Sequence, residues 1–142
     1  MPVDFSEPSR RTLRFACEWA ARFGSEVCLL HVLEPIPVIA AFPAVPVAPS
    51  IPEVDFREQA RAELEKLAQQ EFPESVKTSL HLRDGVAYDE IASAAREMRV
   101  DLIIIATHGR TGLMHVLMGS TAERVVRHAP CPVLTLRRAP LH

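Results

Sequence analysis

Residues 101–123 read DLIIIATHGRTGLMHVLMGSTAE. The apolar run Leu102–Ile105 ends in a turn bearing Gly109 and Gly112, and a Gly119-Ser120 step then opens a helix. That order sets backbone N–H groups and a helix N-terminus beside the carboxyl end of a buried strand. Anionic ligands, phosphates above all, bind at such places in parallel α/β proteins.

Working outward, the last helix is expected from about Ser120 to His128, stopped by Pro130, with a final strand over Pro132–Arg137. Before the run, a helix carries Tyr88, Ile91, Ala92, Ala95 and Met98 on its apolar face, following a turn at Asp84-Gly85. Val76–Leu82 alternates between apolar and polar positions, which suits a half-exposed edge strand. Phe56, Ala60, Leu64 and Leu67 mark another helix, ended near Phe72-Pro73, its charged face solvated. Val27–Leu33 (VCLLHVL) is a second nearly unbroken apolar strand. Leu13, Ala16, Cys17, Ala20 and Phe23 recur at helical spacing between a Ser6 cap and a Gly24 stop. Met1–Asp4 is the tail of the first strand.

The pattern β-α-β-α-β-α-β-α-β predicts one α/β domain over residues 1–142, a parallel five-stranded sheet with helices on both faces. Right-handed crossovers favour the strand order 3-2-1-4-5, and the switch point falls between the strands ending at Asp4 and Ala106. A ligand is expected outside those two ends. Residues 34–53 stand apart: six prolines there forbid a regular helix or central strand. They read as a stiff apolar loop that either packs on a partner or the cleft, or is disordered.

Composition bounds the function. Of the residues, 24% are charged, and a net charge of −2 gives no support to a general nucleic-acid surface. Residues 101–142 are locally +3, which would draw a small polyanion or simply scatter arginines over a solvated face. Cys17, Cys28 and Cys131 have no metal-ligand spacing and read as buried, reduced thiols. With neither a signal core nor a membrane-length apolar run, the expected location is the cytoplasm.

Residues alone leave the site open. Ser120-Thr121-Ala122-Glu123 is a capping box that can satisfy its own orphan amides, and Glu123 repels a polyphosphate unless it points away. Against that, Gly109 and Gly112 allow close approach of backbone to a ligand, and Gly119, Ser120 and Thr121 offer N–H groups. Asp4 serves equally as a helix-entry carboxylate, and His31 reads as a satisfied core or strand histidine. His108 lacks a paired acid, and Ser9, Thr111 and Ser120 lack a nucleophile elbow. The P-loop and dinucleotide fingerprints are absent.

Several segments together carry a resemblance: Asp4-Phe5-Ser6 with Ser9, His31-Val32, Asp84-Gly85 with Ala87 and Ile91, DLIIIATHGRTGL over 101–113, and GSTAERVVRHAPCPVL over 119–134. The chain resembles the universal stress protein family over essentially its whole length. Members that bind ATP carry G-x2-G-x9-G-S/T here. Gly109, the nine residues Arg110–Met118 and Gly119-Ser120 match it, but Ala106 replaces the first glycine. The resemblance implies a Rossmann-like, adenine-nucleotide-binding protein of the stress response, with Pro2 and Val3 lining the base pocket. Asp4 and Val32 would meet adenine and ribose, and His108 would lie beside the phosphates. Gly109, Gly119, Ser120 and Thr121 would contact the phosphates, which would hold magnesium or manganese. It permits at most slow ATP hydrolysis, and it suggests a homodimer through the exposed strand Val133–Leu136. The competing expectation is a dimeric interaction module with a degenerate pocket. Ala106, the Pro-rich loop and the mere four residues of strand 1 favour it; relatives carry several apolar residues before P-V-D-F-S, so that strand either starts further upstream or is short.

Overall fold

The structure is a computed structural model that describes residues 1–35, 53–107 and 118–137. Most of the Pro-rich loop therefore lies outside the described residues, as do His108 and Gly109. Eight elements follow one another: α1 (Glu7–Phe23), β1 (Val27–Leu33), α2 (Glu53–Glu71), β2 (Thr78–Asp84), α3 (Ala87–Glu97), β3 (Ile103–Ala106), α4 (Ser120–His128) and β4 (Val133–Leu136).

Local chemistry fixes these boundaries. Ser6 caps α1 by accepting from the Ser9 N–H, and Pro8 sits in the first turn, where its missing donor costs nothing. Gly24 ends the helix in the left-handed conformation at φ 63°, its N–H bonded to the Ala20 carbonyl. α3 has no cap from its own Val86; the Glu34 carboxylate reaches across instead and accepts from the Ala87 N–H at 3.0 Å.

β1 and β2 pair in parallel from Val27↔Thr78 to Leu33↔Asp84, and β3 and β4 pair in parallel from Ile103↔Val133 to Ala106↔Leu136. Side chains alternate across these strands and so feed two cores. Leu29 and Ile104 join Val3 with Leu13, Ala16 and Ala20 of α1 and Leu64 and Leu67 of α2. Leu30, Ile103 and Ile105 join Ile91, Ala94 and Ala95 of α3 and Ala122 and Val125 of α4. Helices thus cover both faces, the arrangement that buried parallel strands require.

The described residues form two two-stranded sheets, and the opening segment adds an isolated parallel bridge, Pro2↔Leu30. Pro2 has no N–H to give a ladder, and the segment leaves its neighbour after Val3. Two expectations need correcting. The edge strand begins at Thr78, with Val76 buried ahead of it, and its side chains from Thr78 to Arg83 are all half-buried rather than alternately exposed. The three cysteines are free but half-buried, not buried. Among the described residues no helix is long and apolar enough to cross a membrane.

Candidate functional site

The opening segment, the carboxyl ends of β1 and β3 and the start of α4 carry the predicted site residues that the structure describes. At the first end, Met1–Val3 runs along β1. The Met1 nitrogen donates to the Cys28 carbonyl (2.7 Å), the Leu30 N–H to the Met1 carbonyl (2.9 Å) and the Val3 N–H to the Leu30 carbonyl (2.8 Å). The chain then turns sharply. Phe5 has φ 62°, a left-handed conformation that a bulky residue adopts only when its surroundings hold it there.

Those surroundings are specific. The Asp4 carboxylate accepts from the Ser6 N–H (3.1 Å) and the Ser6 hydroxyl (2.6 Å), and the Asp4 N–H reaches the Ser9 hydroxyl at 3.4 Å. His31, only 7% exposed, places Nδ1 2.7 Å from the Val3 carbonyl and packs its ring 4.4 Å from that of Phe5. A carbonyl only accepts, so Nδ1 carries the proton in this bond. Asp4 therefore does serve as a helix-entry carboxylate, and the same bonds fix its position at the strand end. Sequence reasoning set His31 aside as a core residue. Its ring lies in the core, but its nitrogen organises the turn that holds Asp4, and one signal was present, a lone polar residue in an otherwise apolar strand.

At the other end, Ala106 closes β3 and the buried Thr107 follows. Both the Thr107 N–H (3.0 Å) and its hydroxyl (3.2 Å) donate to the Leu136 carbonyl, while its own carbonyl takes the Gly119 N–H at 2.6 Å. That bond pins the start of α4 to the end of β3. It also corrects two expectations. Gly119, not Ser120, is the N-cap residue, so no capping box closes and α4 has no side-chain cap. The Gly119 amide is committed to the protein, which leaves the first-turn amides of Ser120 and Thr121 as the donors at this end. Glu123 is drawn off: its carboxylate accepts from Arg127 at 2.8 Å, one turn further along α4.

Beside α4 a hollow of about 370 Å³ is lined by Tyr88, Ser120, Glu123, Arg124, Arg127 and His128. Arg124 lies over the Tyr88 ring at 5.1 Å. The hollow reaches Ser120 but none of Pro2, Val3, Asp4 or Val32. Burial raises the Cys17 and Cys131 thiols above their ordinary value, so neither is an activated nucleophile at neutral pH. Among the described residues no three His, Cys, Asp or Glu side chains converge as a metal site.

The family model described as the universal stress protein family matches residues 1–137. A universal stress protein of Methanocaldococcus jannaschii is 33% identical over 138 residues, covering 97% of this chain and 80% of that protein. Among solved structures, a second Methanocaldococcus jannaschii universal stress protein, reported as a structure-based assignment of biochemical function, superposes with a TM-score of 0.80 at 26% identity, covering 99% of this chain and 94% of that one. The complex of an Archaeoglobus fulgidus universal stress protein with dAMP has a TM-score of 0.61 at 23% identity, covering 94% and 92% of the two chains.

Proposed function

The chain belongs to the universal stress protein family, and from that premise we propose that it binds an adenine nucleotide, ATP, and acts in the stress response through nucleotide-dependent conformation or partner binding. The observation that carries this reading is the start of α4, anchored to β3 through Gly119 and Thr107 and left without a side-chain cap. Two amides and the positive end of a helix dipole would face a phosphate there. The pairing of Glu123 with Arg127 offsets part of the repulsion the sequence raised.

Val3 shares a core with Leu29 of β1 and Ile104 of β3, which supports the expected five-strand order, here β2-β1-opening segment-β3-β4. In that arrangement Pro2 and Val3 would flank the base, Asp4 and Val32 would meet adenine and ribose, Ser120 and Thr121 would donate to the phosphates, and Ala106 would lie near them. His108 and Gly109 belong to the same proposed site. Magnesium or manganese would be held mainly by the phosphates. The relative solved with dAMP supports an adenine nucleotide as the ligand.

The test is thermal denaturation with Mg-ATP. A ligand at a hundred times its Kd adds about 2.7 kcal/mol, which moves the midpoint upward by several degrees. An unchanged midpoint at millimolar Mg-ATP overturns the reading.

A second reading, a dimeric interaction module, draws support from the Gly119 amide, already spent on Thr107, and from β4, which among the described residues pairs only with β3. Its free edge would join that of a second copy.

A further inference from the structure

β1 is bonded on its two edges by alternate residues. The odd-numbered residues face β2: the Val27 N–H meets the Lys77 carbonyl and the Leu33 carbonyl receives the Gly85 N–H. The even-numbered residues face the opening segment, through the Cys28 carbonyl and both main-chain groups of Leu30. In a parallel ladder the next rung after Val3 N–H to Leu30 carbonyl is Val32 N–H to Val3 carbonyl. That rung is missing: among the described residues no main-chain bond joins Val32 to Val3, and the Val3 carbonyl is taken by Nδ1 of His31 at 2.7 Å. A side chain has replaced a ladder bond. As a result the opening segment peels away one residue early, through the left-handed Phe5, whose ring rests on the same imidazole.

We propose that His31 is a positioning residue whose Nδ1–H substitutes for the Val32 amide on the Val3 carbonyl, holding the first strand and β1 apart so that the main-chain edge of Val32 faces the ligand beside Asp4. The chemistry suits a purine: one N–H and one C=O of an extended residue match a ring-nitrogen acceptor and an exocyclic amine donor side by side. A leucine at position 31 would fill the volume and would leave the Val3 carbonyl to capture the Val32 amide. This rests on the nucleotide reading for its ligand but not for its geometry.

Two measurements test it. In the unliganded protein the Val32 amide exchanges with solvent much faster than that of Leu30, and in His31→Leu it slows toward the Leu30 rate as the rung forms. Mg-ATP affinity falls about tenfold in His31→Leu, the size of one lost hydrogen bond, with tripolyphosphate affinity unchanged. His31→Asn, which keeps a donor near the Nδ1 position, retains both the fast Val32 exchange and the ATP affinity. A Val32 amide as protected as Leu30 in the parent overturns the inference, and that measurement stands even where a variant fails to fold. Equal ATP affinity in His31→Leu and parent also overturns it. A parent that exchanges as expected yet binds no ATP overturns the nucleotide reading and the ligand role with it, so the two failures are told apart.

Discussion

The two ends of the proposed site are built from different materials. Around Asp4 the geometry is made by side chains: a carboxylate, two serine hydroxyls and an imidazole satisfy main-chain groups over a few residues. At α4 it is made by backbone: Gly119 bonds Thr107, no side chain caps the helix, and the groups that would meet the proposed ligand are amides. The first end ties position to stability, because the same bonds that place Asp4 also start α1. The second end separates them, because first-turn amides have no intrahelical partner to lose. Substitutions at the two ends should therefore fail in different ways.

Ser120→Pro gives the largest expected effect on binding and the least on folding. Position 120 is the first helical residue, where proline is favoured, and Gly119 at φ −66°, ψ 150° already has the conformation required before a proline. The change removes one amide donor. A hydrogen bond to a charged group is worth about 1.5–3 kcal/mol, so ATP affinity should fall roughly tenfold to a hundredfold. Titration calorimetry beside thermal melting checks this, with the midpoint holding while affinity drops. Unchanged affinity would show that the Ser120 amide does not meet the phosphates, and the contrast between the ends would go with it.

Asp4→Ala comes next and should move both readouts. It removes the acceptor of the Ser6 N–H and hydroxyl and loosens the Ser6 cap of α1, for a loss of about 1–2 kcal/mol in stability. ATP affinity should fall in the same variant. Chemical denaturation measures the first and calorimetry the second; a fall in affinity with full stability would mean that Asp4 serves the ligand alone.

Much of the scaffold was legible in the sequence, because it rests on local rules. The unbroken run VCLLHVL became β1, Ser6 and Gly24 became the caps of α1, and residues 120–128 became α4. The sequence offered a candidate site as a place rather than as a set of bonds. Ser120 and Glu123 have the spacing of a capping box, yet Gly119 takes the cap position because its amide is claimed by Thr107, a long-range contact no local motif announces. His31 looked like a core histidine because burial hides direction: periodicity tells that a residue faces inward, not which carbonyl its nitrogen finds. The single five-stranded sheet was read from element order, whereas the opening segment supplies one bridge, limited by Pro2 and by the imidazole at its end.

Ala106 closes β3 one residue before Thr107 and carries the smallest expected effect, though it discriminates best between the two functional readings. It is the last residue of β3 and half-buried, paired with Leu136 of β4, and it stands where the resembling ATP-binding motif has its first glycine. Ala106→Gly removes a single methyl. The backbone loses restriction, so stability should fall by about 0.5–1 kcal/mol. If the Cβ lies against ribose or phosphate, relief of that contact tightens ATP by a few-fold, comparable to the ~0.7 kcal/mol that separates threefold affinities. The two terms act on different equilibria, so a protein that melts earlier alone yet is stabilised more by Mg-ATP is the signature. Equal ATP affinity in both proteins would place the methyl away from the ligand. Binding that appears only in the glycine variant would mean that one methyl had closed the site, and would pass the case to the dimeric module.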